Sequence, residues 1–448
     1  YRCNEACVHC YNPGAAHAPD ERNARQRDEL STEEAKRMFD ELARCGVFRL
    51  VLSGGEATLR KDFLELVSYA RGLGFSVSVY TNGLALSDSF VNRLCALWPD
   101  SVSISIYSAD PSTHDGITRV PGSFEKSVAM LERFHARGVR TYMKSTQMAH
   151  TVDGYKKVYE LAERIGAGPE VDMSLSDGAD GARVVGALAV DDPARLVLMA
   201  MTDGSPLFVG DESTDYGRVE KDRDATVCGA GVSFMYIDPE GNFSPCSSMP
   251  IGAVSVRNGG LQQHWQQSPL GRKRMPAGSG AMPSAALAPE RHSLDWWQGI
   301  RLRDYDECGT HRRCGWCAKC PGMAYLQHGN VLGPSTMNCR NAGARMIAAD
   351  LLAAGVSDET FAQRALLSGF GNSSQQAAPP LIARQPHAER KIGCGKKAGS
   401  TEDDAEGPRV CSYSSHHPGL DLRYGSGEIA AVLRELDSMV ASCGDLIR

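Results

Sequence analysis

The alternation of strand and helix signals over the first 215 or so residues is the strongest constraint on what this chain can fold into. Short apolar runs at Arg49 to Ser53, Ser76 to Tyr80, Ser101 to Tyr107, Arg140 to Thr146 and Glu170 to Leu175 read as strands. Segments with helical spacing lie between or before them, at Leu30 to Cys45, Leu59 to Gly74, Ser123 to Gly138 and Tyr155 to Ile165. Strands that alternate with such helices build βαβ units and a parallel sheet. In those sheets ligands meet the protein at the carboxyl ends of the strands. Near Tyr216 the pattern changes. Cysteines, glycines and short strands then dominate as far as Cys339, interrupted by a Pro-, Ala-, Gly- and Ser-rich stretch from Ser268 to Arg291 that reads as a surface insertion. Asn341 to Leu367 reads as helix, Gly369 to Gly407 as a polar linker or disordered segment, and Ser426 to Ala441 as a last amphipathic helix. The expected division is 1–215, 216–345 and 346–448, with no internal repeat.

Composition excludes several classes. Lys and Arg total 48 against 54 Asp and Glu, a net charge of -6, which argues against a general nucleic-acid binder. No apolar run reaches the roughly 18 residues that a membrane helix needs, and Tyr1-Arg2-Cys3 is not the start of a secretory signal. The expectation is a cytoplasmic protein with no membrane partner, and a natural N-terminus upstream of Tyr1. The chain has 15 cysteines, and they cluster. In a long chain without an export signal, clustered cysteines bind metal more often than they form disulfides.

Cys3, Cys7 and Cys10 put three thiols within eight residues. Three thiolates can hold three irons of a 4Fe–4S cluster and leave the fourth open to a ligand. A zinc knuckle is the competing reading, with His9 as the candidate fourth ligand. Further on, Ser53-Gly54-Gly55-Glu56 ends a strand, where two glycines permit close backbone approach and Glu56 offers a carboxylate. Thr81-Asn82-Gly83 ends the next strand, and Ser103 and Ser105 share one face of another.

The C-x3-C-x2-C triplet, followed at this distance by Gly54-Gly55-Glu56, resembles the signature of the radical S-adenosylmethionine (SAM) superfamily. That resemblance implies a partial (β/α)6, TIM-like barrel in an α/β fold. Cys3, Cys7 and Cys10 would carry the catalytic 4Fe–4S cluster. Gly54, Gly55 and Glu56 would meet the amino group of SAM, Ser105 its ribose or carboxylate, and Arg119 its carboxylate. His9 departs from the aromatic residue that the family has before its third cysteine. The implied chemistry is one-electron cleavage of SAM to a 5′-deoxyadenosyl radical, which abstracts hydrogen from an unactivated carbon. Flavodoxin or ferredoxin would supply the electron.

A second set follows the pattern Cys228-x12-Gly241-x4-Cys246, then Cys308, Cys314, Cys317, Cys320 and Cys339. It resembles the SPASM domain, which houses auxiliary 4Fe–4S clusters. Together the two resemblances cover roughly residues 1–345. They imply one auxiliary cluster on Cys228, Cys246 and Cys320, and a second on Cys308, Cys317, Cys339 and either His311 or Cys314. His311 stands where the family has a cysteine, and Cys314 is the favoured ligand because thiolates are the commoner donors. A structural zinc site is the competing reading. Cys45, Cys95 and Cys443 read as buried small hydrophobes, and Cys394 and Cys411 as free thiols in polar segments.

Val171 to Gly178 resembles a strand and loop of radical SPASM enzymes that mature ribosomal peptides. The leading expectation is therefore a maturase that crosslinks (by a thioether or C–C bond) or epimerises a precursor peptide. The alternatives are an anaerobic sulfatase-maturating enzyme, which makes formylglycine in a protein substrate, and a non-catalytic iron–sulfur or zinc scaffold. Gly55 and Glu56 weigh against the scaffold, which has no use for a SAM-binding segment.

Overall fold

The structure, a computed structural model, describes residues 2–12, 29–178, 184–202, 224, 226–249, 254–258, 260–261, 294–305, 308, 311–317, 319–367, 431 and 434. Five parallel strands form the central sheet: β1 (Arg49–Leu52), β2 (Ser76–Thr81), β3 (Ser101–Ser105), β4 (Thr141–Thr146) and β5 (Gly168–Asp172). They lie in chain order, β1-β2-β3-β4-β5. This is the α/β barrel-like arrangement expected from the alternation, with five strands of the expected six among the described residues.

The connecting helices start where local chemistry satisfies their first N–H groups. Helix α1 (Thr32–Arg44) opens with a capping box between Ser31 and Glu34. Helix α2 (Phe63–Gly72) follows β1. Ser87 caps α3 (Asp88–Ala96) and Asp110 caps α4 (Pro111–Thr118), which carries proline in its first turn. Helices α5 (Ser123–His135) and α6 (Tyr155–Ile165) complete the layer. Val77, Val79, Val102, Ile104 and Met143 point from the strands into this layer and pack with Leu131, Phe134, Val158 and Leu161. Period-2 alternation sends Tyr80, Ser103, Ser105, Tyr142, Lys144, Glu170 and Asp172 to the other face, which is polar.

Beyond the sheet come a short helix α7 (Val185–Leu188) and the Asp192-capped α8 (Pro193–Met201). The antiparallel strands β6 (Tyr236–Ile237), β7 (Asn242–Ser244) and β8 (Val254–Ser255) follow. This small sheet is tied to α1: Leu30 N donates to Pro239 O, and Arg257 pairs with Glu34. Helix α9 (Leu294–Gly299) precedes the later cysteines, followed by α10 (Pro321–His328), α11 (Thr336–Ala353) and α12 (Asp358–Leu367). The single helix expected over 341–367 is thus two, separated at Gly355, whose φ of 77° favours glycine. Helices α8, α11 and α12 share one apolar core. Among the described residues no helix is long and apolar enough to cross a membrane. The expected insertion at 268–291, the linker at 369–407, the helix at 426–441 apart from 431 and 434, and Cys394, Cys411 and Cys443 lie outside the described residues.

Candidate active site

The loop bearing the first three cysteines crosses the carboxyl ends of the strands, and backbone contacts fix it there. Glu56 N donates to Arg2 O at 2.8 Å, Ala6 N to Thr118 O at 3.1 Å and Val8 N to Ile117 O at 3.0 Å. Side chains add further ties: Asn82 Nδ2 donates to Asn4 Oδ1 at 2.7 Å and Asn12 Nδ2 to Gly54 O at 2.8 Å. The segment between β1 and α2, the turn after β2 and the end of α4 thus all hold this loop.

Within it the three thiols share one environment. Burial pushes the Cys3 thiol up to about 12, reinforced by the charges of Glu5, Glu56 and Cys10. Cys7 is raised well above its ordinary value by burial and by Glu5 and Cys10. Its Sγ donates to Glu5 Oε2 at 3.2 Å, and burial raises Glu5 to about 7. Buried thiols crowded in this way resist ionising alone; a bound cation supplies the missing charge and leaves them deprotonated. Glu5 N donates to Cys3 Sγ at 3.5 Å, the direction of bond that favours a thiolate. No three His, Cys, Asp or Glu side chains among the described residues close around a single ion.

Gly54, Gly55 and Glu56 line a cavity of about 1090 Å³ together with Tyr11, Tyr80 and Tyr236. The cavity extends along the β1 edge past Phe39, Leu42 and Leu50, and Cys3, Cys7, Cys10, Ser105 and Arg119 are not among the residues that line it. Gly54 has φ 149°, a conformation open to glycine. Glu56 is 4% exposed, and its carboxylate is already engaged. Oε1 accepts from Thr58 N, Thr58 Oγ1 and Thr81 Oγ1, and Oε2 accepts from Asn82 N. Three of these donors fall on Oε1 and one on Oε2, which therefore keeps acceptor capacity. In this way Glu56 clamps the turn after β2 to the segment after β1.

Ser105 ends β3 on the polar face, opposite Lys144 in register. Its side chain hydrogen-bonds to Tyr107, which senses the charges of Cys7, Glu5 and Cys10. Arg119 follows Thr118, whose carbonyl holds the cysteine loop. It is left-handed at φ 60°, a region that costs a non-glycine residue about 1–3 kcal/mol.

Three side chains on the polar face were not singled out in the sequence. Lys144 Nζ lies 2.6 Å from Glu170 Oε2 and 4.7 Å from the centre of the Tyr80 ring. Burial raises the carboxyl of Asp172, which accepts from Ser174 N at 2.8 Å. The signal was present in Tyr142-Met143-Lys144-Ser145, which alternates like a strand with one polar face, but the pairing with β5 is long-range.

Cys228, Cys246 and Cys320 lie within electrostatic range of one another, and burial pushes Cys246 up to about 12. Backbone N–H groups point at their sulfurs: Ala230 to Cys228 at 3.4 Å, Ser248 and Met249 to Cys246, Met323 and Gly322 to Cys320. A Cβ on Gly322 would stand 2.8 Å from Ser248 Cβ, so glycine lets α10 approach the Cys246 turn. Cys314 and Cys317 sit on a short helical turn, Arg312–Trp316 and the residue after it, which packs against α11, the helix that carries Cys339. Arg345 of α11 donates to Trp316 O at 2.9 Å, and Cys317 Sγ meets Asn338 O at 3.9 Å. His311 caps that turn, its carbonyl accepting from Cys314 N. Cys308, like Cys228 and Cys246, packs against the core around Tyr305. No cysteine among the described residues is in a disulfide. Cys45 and Cys95 are half-buried, less than expected, and Cys95 packs against the barrel core.

Comparison with known proteins agrees with this geometry. The Radical SAM superfamily matches residues 1–165. The mycofactocin maturase MftC of Mycolicibacterium smegmatis is 31% identical over 295 residues, 63% of this chain and 73% of the relative. This chain belongs to the radical SAM superfamily. The AdoMet-dependent heme synthase of Methanosarcina barkeri is 27% identical over 360 residues, covering 74% of this chain and 91% of that one. The structure of anSMEcpe with bound AdoMet and Cp18Cys peptide shares the fold at a TM-score of 0.53 and 14% identity, over 78% of this chain and 93% of that one. As a radical SAM protein the chain is an enzyme that uses SAM and a 4Fe–4S cluster. The non-catalytic scaffold is thereby set aside.

Proposed function

We propose that this radical SAM enzyme is a peptide maturase that crosslinks or epimerises a residue of a ribosomally made precursor. The observation that carries this reading is the 31% identity to MftC, a maturase by name, across 73% of its length.

In this reading Cys3, Cys7 and Cys10 hold the catalytic cluster, which supplies the electron that cleaves SAM. Gly54 and Gly55 present their backbone to the SAM amino group, while Glu56 keeps the two strand ends in register. Ser105 and the strained Arg119 meet the ribose and carboxylate. Cys228, Cys246, Cys308 and Cys320 hold one auxiliary 4Fe–4S cluster; Cys314, Cys317 and Cys339 hold a second. Residues 1–215 form the radical SAM unit, 216–345 the auxiliary unit and 346–448 an extension. A flavodoxin or ferredoxin of the reducing cytoplasm supplies the electron.

A second reading has a specific observation behind it. The heme synthase is matched over 91% of its length, so a tetrapyrrole is the rival substrate. The test is turnover by anaerobically reconstituted protein with SAM and dithionite, offered either a short peptide encoded beside its gene or an iron tetrapyrrole. A mass change in the peptide, with 5′-deoxyadenosine in proportion, supports the maturase. Turnover of the tetrapyrrole alone replaces it with the second reading.

A further inference from the structure

Two hydrogen-bond donors are buried without partners beside the first auxiliary cysteines. Lys319 Nζ has no acceptor, and neither has Tyr305 Oη a partner. They are neighbours: the ammonium stands 5.9 Å from the centre of the Tyr305 ring. Tyr305 is 4% exposed. Leaving a buried polar group unsatisfied costs about 1–3 kcal/mol, and more for a charge. Two such groups in contact point to a missing acceptor that is negatively charged.

Sulfur surrounds them. Tyr305 belongs to a core with Ala230, Met249, Trp297, Ile300 and Val331, against which Cys228, Cys246 and Cys308 pack. Cys320 follows Lys319 directly in the chain and lies within electrostatic range of Tyr305, as do Cys228 and Cys308. Asp304 also faces Tyr305, and its Oδ2 accepts from Arg301 N at 2.7 Å. The other charged groups that act on Tyr305 are thiol sulfurs, which become strong acceptors once they ligate iron.

We infer that the Lys319 ammonium and the Tyr305 hydroxyl donate hydrogen bonds to the sulfurs of the cluster held by Cys228, Cys246, Cys308 and Cys320, and that Lys319 raises its reduction potential. This rests on the auxiliary-cluster reading given above. Reduction adds one electron, hence one negative charge, to a site of low dielectric. A fixed cation beside that site stabilises the reduced form over the oxidised one, and hydrogen bonds to sulfur act in the same direction. Lys319 and Tyr305 are positioning residues in this scheme, acting on the cluster and not on substrate.

The experiment uses the full chain carrying Cys3→Ala, Cys7→Ala and Cys10→Ala, so that only auxiliary iron remains. After anaerobic reconstitution, iron is counted and the two auxiliary clusters are titrated with dithionite, one electron per cluster, under electron paramagnetic resonance. Lys319→Met should leave iron content unchanged and lower the reduced-to-oxidised ratio of one cluster about tenfold at the parent midpoint, a shift of about 59 mV to more negative potential. Tyr305→Phe should move the same wave the same way by less, and Lys319→Arg should restore it. Unchanged potentials in Lys319→Met and Tyr305→Phe, with iron retained, overturn the inference. If Lys319→Met loses its iron, Tyr305→Phe, which removes a single hydroxyl, decides by the same shift. A parent protein with no auxiliary iron overturns the cluster reading itself, and this inference with it.

Discussion

Replacing Glu56 with glutamine tests how the strand ends are held together. Each carboxylate oxygen accepts one backbone N–H: Thr58 N at 3.1 Å on Oε1, Asn82 N at 2.7 Å on Oε2. An amide in the same place has only one acceptor oxygen. In either orientation its NH2 group therefore faces a backbone N–H, and one charge-assisted bond becomes a buried donor–donor contact. Hydrogen bonds to charged groups contribute about 1.5–3 kcal/mol each. The Asn82 turn also carries the Asn82–Asn4 bond to the cysteine loop, so the penalty falls on the geometry that SAM needs. Glu56→Gln should weaken SAM binding by about 10- to 100-fold, the equivalent of that energy at 1.4 kcal/mol per tenfold. Thr81→Val, which removes one of the hydroxyl donors, should cost less than about tenfold. The assay is anaerobic equilibrium dialysis of SAM against reconstituted protein, with iron content held equal. Wild-type affinity in Glu56→Gln would refute the clamp.

Other residues give independent checks. Arg119→Gly should raise thermal stability by about 1 kcal/mol, because glycine accepts φ 60° without strain, while SAM affinity falls; a loss of stability in the denaturation curve contradicts the strain argument. His114 is fully buried, and burial lowers it to about 4 from 6.5. Between those values the unfolded chain binds a proton that the folded chain refuses. Stability of the iron-free protein should therefore fall as pH drops from 6.5 to 4, by up to about 3 kcal/mol; urea titrations should show that slope flattened in His114→Asn. His311→Ala should leave the iron count unchanged if Cys314 is the ligand, and a drop by one cluster reverses that assignment.

The sheet was legible because its strands are short apolar runs broken by glycines and turns, a local signal. The cysteine triplet and Gly54-Gly55-Glu56 were legible for the same reason: their chemistry sits in contiguous residues. Helices α3, α4 and α8 escaped notice. Their starts are marked by Ser87, Asp110 and Asp192, but α3 and α4 are short and carry few apolar residues between polar ones. Contacts that depend on long-range pairing were not legible. Glu56 finds Thr81 and Asn82 through the β1–β2 register, and Lys144 finds Glu170 through β4–β5. That Cys308, Cys228 and Cys246 pack against one core around Tyr305 depends on tertiary contacts that spacing along the chain does not encode.

The central claim is that the loop of Cys3, Cys7 and Cys10 holds a cluster that cleaves SAM. The most direct measurement is 5′-deoxyadenosine by mass spectrometry after adding dithionite and SAM to anaerobically reconstituted protein, with iron counted per chain, alongside the variant in which all three cysteines are alanine. The account predicts 5′-deoxyadenosine from the parent, none from the variant, and iron that falls by about one cluster while the rest stays bound. Product formed equally by both proteins, or zinc in place of iron in the parent, would contradict it.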